Sequence, residues 1–184
     1  MLASKGTVTF VDMVSLFHRK DMVKHLMDMV QSTPENEPGV RAAGQIFAFK
    51  EGHRIAAALN KPNQATAFIK ALGFVGNNQS VAMLRTVTTD EARPVPSRLL
   101  AITALGRSSS GAGALMQLVQ QKKLPAKFMP PAIQSLAASP GPNTRSFAAQ
   151  HLNLLMPAGK RWPIELLLAA KPNAAKGKAV FQKA

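Results

Sequence analysis

The 184 residues contain no cysteine. That excludes a disulfide, a thiolate metal site, a thiol nucleophile and covalent haem attachment within this sequence. It leaves the compartment open, because cytosolic and exported chains can both lack cysteine. Carboxylates are scarce: 9 Asp and Glu stand against 23 Lys and Arg, a net charge of +14. Long apolar runs are missing too. The longest, such as "IELLLAA" near Ile164, fall far short of the ~20 residues that span a bilayer as a helix. In "MLASKGTVTFVDMVSLFHRK", Thr7, Thr9 and Asp12 interrupt any apolar core, so the stretch does not read as a secretory signal. Alternating strand patterns are nearly absent, "TVTF" being the nearest and too short to found a sheet.

Apolar residues make up 46% of the chain, enough for a core without metal or disulfide. They recur with helical period. "QATAFIKALGFVGNNQSVAMLRTV" (64–87) and "SRLLAITALGRSSSGAGALMQLV" (97–119) share one layout: an apolar helix ending in Ala-Leu-Gly, a polar link, and a second apolar helix. Gly73 and Gly106, 33 residues apart, are expected to act as left-handed helix stops. "PPAIQSLAAS" followed by "NTRSFAAQHLNLLMP" is a looser third copy, stopped at Ser139, Pro140 and Gly141. Upstream, "VDMVSLFHRKDMVKHLMDMVQST" predicts one or two helices, and "GVRAAGQIFAFKEGHRIAAAL" a pair broken around Gly52. Pro34, Pro38, Pro62, Pro94, Pro96, Pro125, Pro130, Pro140, Pro142 and Pro157 are expected between helices. Small residues (Ala42, Ala43, Ala56, Ala57, Ala101, Ala104, Ala148, Ala149) are expected at the crossing faces. The fold class predicted is all-α, a HEAT-like α-solenoid of stacked helical hairpins over residues 1–157, with an irregular helical bundle as the alternative.

Chemistry-bearing patterns are weak. His18, His25, His53 and His151 fit no metal-ligand spacing. No G-x-S-x-G elbow occurs, and "GRSSSGAG" lacks both the Lys-Ser/Thr ending and the preceding strand of a phosphate-binding loop, so it reads as a flexible link capped by Ser110 or a neighbour. Asp90 with Glu91, and Glu35 with Glu37, read as solvated loop carboxylates. Met13, Met22, Met27, Met29, Met83 and Met116 fall in helical apolar patterns and read as core. No catalytic, cofactor-binding or metal residue is predicted, and the chain alone is not expected to be an enzyme.

Charge carries the functional content. Residues 1–91 hold 10 Lys/Arg and 8 Asp/Glu, whereas residues 92–184 hold 13 and 1, Glu165 being the lone acid. Arg93, Arg98, Arg107, Lys122, Lys123 and Lys127 are the candidate basic surface, a ridge along successive hairpins that could grip nucleic acid or dock an acidic protein. The basic half offers only Phe128, Phe147, Trp162 and Phe181 for base stacking and no tyrosine, which disfavours nucleic acid.

The ordered segments resemble a known family. "ELLLAAKPNAAKGKAVFQKA" is similar to the entry of a class I c-type cytochrome domain, where a G-x-x-x-F helix leads into Cys-x-x-Cys-His. "EPGVRAAGQIF", "ALGFVGNNQSVAMLRTVTTDEARPVPSRLLAITALGR" and "GALMQLVQQKKLPAKFMPPAIQSLAASPGPNTRSFAAQHLNLLM" resemble the HEAT-like region before that domain in planctomycete-type multidomain haem-binding proteins. The resemblance implies a linker at 158–173 and, at 174–184, the first helix of a truncated cytochrome domain, with Gly177 at a close helix crossing and Phe181 toward the haem-side core. It further implies a non-catalytic scaffold in a periplasmic or extracytoplasmic electron-transfer protein. Its haem c would belong to a following domain, and its partners would be that domain and others upstream. The alternatives are a basic HEAT-like solenoid that binds nucleic acid and a free-standing protein-interaction scaffold.

Overall fold

Thr7 opens a helix rather than a strand, because its Oγ1 accepts the Phe10 N–H at 3.3 Å and caps the first turn. The computed structural model describes residues 6–151, and within them every regular element is helical, with no strand. The order is α1 (Val8–Leu16), α2 (Val23–Ser32), α3 (Glu37–Ala48), α4 (Gly52–Leu59), α5 (Pro62–Val75), α6 (Asn78–Thr89), α7 (Val95–Gly106), α8 (Ser109–Gln120), α9 (Met129–Ala137) and α10 (Pro142–Gln150). The expected linker at 158–173 and the helix at 174–184, with Gly177 and Phe181, lie outside the described residues.

Pro34, Pro94, Pro125 and Pro140 lie between helices as expected and Pro157 outside the described residues, but Pro38, Pro62, Pro96, Pro130 and Pro142 sit inside the first turn of α3, α5, α7, α9 and α10. The missing N–H costs nothing there, since the first N–H groups of a helix have no partner in it. Pro62, Pro96 and Pro130 follow one another at intervals of 34 residues and open α5, α7 and α9. These three helices pack in sequence, α5 on α7 and α7 on α9, with α3 on the other side of α5. A second row runs beside them, α6 on α8 and α8 on α10. Their apolar stripes coincide: Ile69, Leu72, Ile102, Leu105, Ile133 and Leu136 are all fully buried. The N-terminal end is less regular. α2 packs on both α3 and α5, and α4, only eight residues long, packs chiefly on α5 through a face that buries Ile55, Ala58 and Leu59.

The helix stops differ from those expected. Gly73 lies within α5 and Gly106 is the last residue of α7, and neither has positive φ. The left-handed glycine is Gly76, the C-cap of α5 at φ 59°. Elsewhere the left-handed residue is His18 (φ 48°), Lys50 (φ 63°) or Lys122 (φ 54°). After Lys122, the paired bonds from Lys122 N to Val119 O and from Lys123 N to Leu118 O, both 3.0 Å, close α8 in a Schellman motif. "GRSSSGAG" is not a flexible link either, since all but Gly106, Arg107 and Ser108 of it is α8. Ser108 is the cap, its Oγ accepting the Gly111 N–H at 3.2 Å.

Gly73 and Gly106 serve a different need. A Cβ on Gly73 would fall 2.9 Å from both Cβ and O of Ala104 in α7, and one on Gly106 would fall 2.8 Å from the Ser135 carbonyl in α9. Each glycine lets the next helix of its row approach through backbone. Small residues do line the crossings at Ala42, Ala43, Ala101, Ala104 and Ala148, but Ala56, Ala57 and Ala149 are exposed, and Ala58 takes the buried position in α4. We expect Gly73→Ala to destabilise the chain by about 1–2 kcal/mol, overpacking exceeding the gain in helix propensity. Gly113→Ala, where nothing lies within 4 Å, should stabilise it by about 0.5–1 kcal/mol. Urea denaturation of the two variants checks both signs.

Candidate interaction surface

The basic residues singled out from sequence do not form one exposed ridge. Arg98 is 4% exposed: its Nε donates to the Thr88 carbonyl at 2.9 Å, and its guanidinium lies 4.5 Å from the Phe128 ring centre. Thr88 belongs to the last turn of α6, whose carbonyls lack helical partners, so Arg98 caps that end. Arg93 does the same for α4. Its side chain, 17% exposed, reaches the Leu59 carbonyl and Asn60 Oδ1 while Nε pairs with Asp90 at 3.2 Å. Arg145 donates to the carbonyls of Ser139 and Pro140, just past α9. A cation at a helix C-terminus also meets the negative end of the macrodipole.

Arg107 joins a further cluster. Its Nη1 lies 2.9 Å from Glu35 Oε1, while Lys70 Nζ lies 3.0 Å from Glu35 Oε2, and the guanidinium covers Phe74 at 4.5 Å. One carboxylate thereby ties the α2–α3 link to α5 and to the α7–α8 junction. Hydrogen bonds from Lys70 and then Arg107 hold Glu35 below the ordinary carboxylate value. Glu35 is an exposed residue of the α2–α3 link, as the sequence predicts, but its pairing is not legible there. Its partners lie 35 and 72 positions away, beyond any local pattern.

Arg93, Arg98 and Arg107 therefore leave the candidate surface, because helix-end carbonyls, Phe128 and Glu35 already hold them. Lys122, Lys123 and Lys127 remain exposed, with Lys127 Nζ 5.2 Å from the Phe128 ring centre. Lys123 lies at the edge of an open cleft of about 480 Å³ between α6 and α8, lined also by Ala82, Arg85, Thr86, Thr89 and Leu118. Arg85 escaped the sequence reading because it belongs to the charge-balanced half, and only the packing of α6 beside α8 brings it to Lys123.

Among the described residues no group of three or more His, Asp or Glu could hold a metal ion, and no helix is long and apolar enough to cross a membrane. Set against known protein families, curated proteins and solved structures, the chain matches none.

The Glu35 cluster yields a pH dependence. A carboxylate depressed in the folded state contributes stability above its ordinary value of 4.5, and that contribution disappears as pH falls through the depressed value. Asp21 and Glu51 are depressed likewise by Arg19 and Arg54. Urea midpoints measured from pH 7 down to pH 3 should fall on the acid limb, and Glu35→Gln should lower the neutral plateau and make the fall shallower.

Proposed function

We propose that the chain is a non-catalytic helical-repeat scaffold, a HEAT-like α-solenoid that spaces and orients its neighbours in a larger protein. The observation that carries this reading is a ladder of hydrogen bonds one repeat apart. Gln64 reaches Gln31, Lys70 reaches Glu35, Arg93 reaches Leu59 and Asn60, and Ser110 reaches the Gly76 carbonyl, at separations of 33 to 35 residues. Packing that joins each helix to its near neighbours in order is what a solenoid requires, since a lone hairpin cannot bury its apolar face.

The resemblance to the region before a c-type cytochrome domain extends the proposal: the scaffold would hold a haem domain for electron transfer in a periplasmic or extracytoplasmic protein. With no cysteine in the chain, the haem would be carried by a neighbouring domain. The natural reading frame, expressed with a periplasmic haem-attachment system, should give a product with a c-type absorption spectrum. An unpigmented product would leave the scaffold without its redox context.

A basic solenoid gripping nucleic acid is the second reading, favoured by the exposed Lys122, Lys123 and Lys127. Against it, three of the arginines that would extend the track are held within the fold. Duplex DNA should bind weakly at ~0.15 M salt, where the Debye length is about 8 Å. Tight binding at that salt, lost on changing the three lysines to Glu, would favour the second reading instead.

A further inference from the structure

Arginine is normally engaged in this fold. Arg19, Arg41, Arg54, Arg93 and Arg107 pair with carboxylates, and Arg98 and Arg145 donate to carbonyls. Among the described residues Arg85 is the exception: its side chain makes no hydrogen bond, ion pair or ring contact, although it is half-buried. It lines the cleft between α6 and α8 with Lys123, which also has no ion pair among the described residues. Among the described residues no carboxylate lines the cleft. Thr86 Oγ1 donates to the Ala82 carbonyl at 3.1 Å and Thr89 Oγ1 to the Arg85 carbonyl at 3.0 Å, so the hydroxyl protons are already used within α6. Two cations thus supply the donors and the exposed Ala82 supplies apolar surface, with the buried Leu118 beneath.

We propose that this cleft is a docking groove for an acidic segment of a protein partner, whose carboxylates pair with Arg85 and Lys123 while an apolar side chain lies over Ala82. This goes beyond the scaffold reading, because it requires only that α6 and α8 lie side by side. Charge selects the occupant. The chain's own residues 152–184 carry Lys160, Arg161, Lys171, Lys176, Lys178 and Lys183 against Glu165 alone, so the groove repels them. Among the described lining residues nucleic acid would find no aromatic platform, and two cations in place of a continuous track. A guanidinium can instead receive a carboxylate through two parallel N–H groups. Along α6 the lining runs from Ala82 to Thr89, about 11 Å at 1.5 Å per residue, or two turns of a bound peptide helix.

The test is fluorescence anisotropy of a fluorescein-labelled peptide of about 12 residues, Glu-Glu-Leu-Ala repeated, long enough as a helix to cover that stretch, titrated with the full chain. Saturable binding is expected. The pair Arg85→Glu with Lys123→Glu should weaken it at least ~10-fold, whereas Lys24→Glu with Lys61→Glu, an equal charge change away from the cleft, should weaken it less than ~2-fold. Arg85→Gln with Lys123→Gln, whose fold is checked by circular dichroism, should also lose binding, which separates lost contacts from new repulsion. Absence of binding, equal weakening by both Glu pairs, or displacement by an equal concentration of duplex DNA would overturn the assignment.

Discussion

The spacing of the helical rows rests on two places where a side chain is missing. Gly73 meets Ala104 and Gly106 meets Ser135 so closely that a single Cβ would intrude on backbone atoms of the next helix. Helices usually pack with axes 8–10 Å apart, the distance depending on the side chains at the contact, and glycine permits the near end of that range. Once α5, α7 and α9 are set at this spacing, groups one repeat apart come within hydrogen-bonding reach. Ser110 meets the Gly76 carbonyl, and a Cβ at Gly76 would fall 2.8 Å from Ser108 Cβ, so the turn after α5 is pressed against the turn after α7. The same spacing brings Arg93 to the end of α4 and, across 72 positions or about two repeats, Arg107 to Glu35.

Those contacts change the meaning of the positive charge. A net charge of +14 invites a polyanion, yet much of the described basic half is structural. Arg93, Arg98 and Arg145 satisfy carbonyls at or near helix ends, and Arg107 satisfies a carboxylate. Buried or half-buried arginine suits that work, because its planar fork serves several acceptors at once and its charge is weakly hydrated. What is left for partners is narrower than the sum suggests: the exposed lysines after α8 and the pair that flanks the α6–α8 cleft.

Helix content, the 33-residue interval and the buried stripes were legible in the sequence because each is periodic and local. Ile69, Leu72, Ile102 and Leu105 recur at that interval and are buried as the pattern requires. The roles of single residues were not. Glycine near a helix end suggests a stop, but the same residue permits close approach, and only the neighbouring helix decides between them, as at Gly73. The stops at His18, Lys50 and Lys122 carry no glycine, since hydrogen bonding across the last turn holds a left-handed residue there. Arg98 and Arg85 look alike in sequence, yet one is buried on Phe128 and the other lines a cleft, a difference made by helices that arrive later in the chain.

If neighbour-to-neighbour packing is the rule, a repeat can be copied. Residues 95–128 contain α7, α8 and the link to α9, and Val95 and Met129 both stand one residue before the proline in the first turn of their helix. Inserting a second copy of 95–128 directly after Phe128 therefore keeps register at both junctions. Small-angle scattering and circular dichroism of that longer chain should show a folded monomer with a larger radius of gyration and unchanged helicity per residue, as expected where each repeat contacts only its neighbours. Loss of cooperative unfolding, or a particle no longer than the original, would mean that the helices close on one shared core and that no solenoid exists.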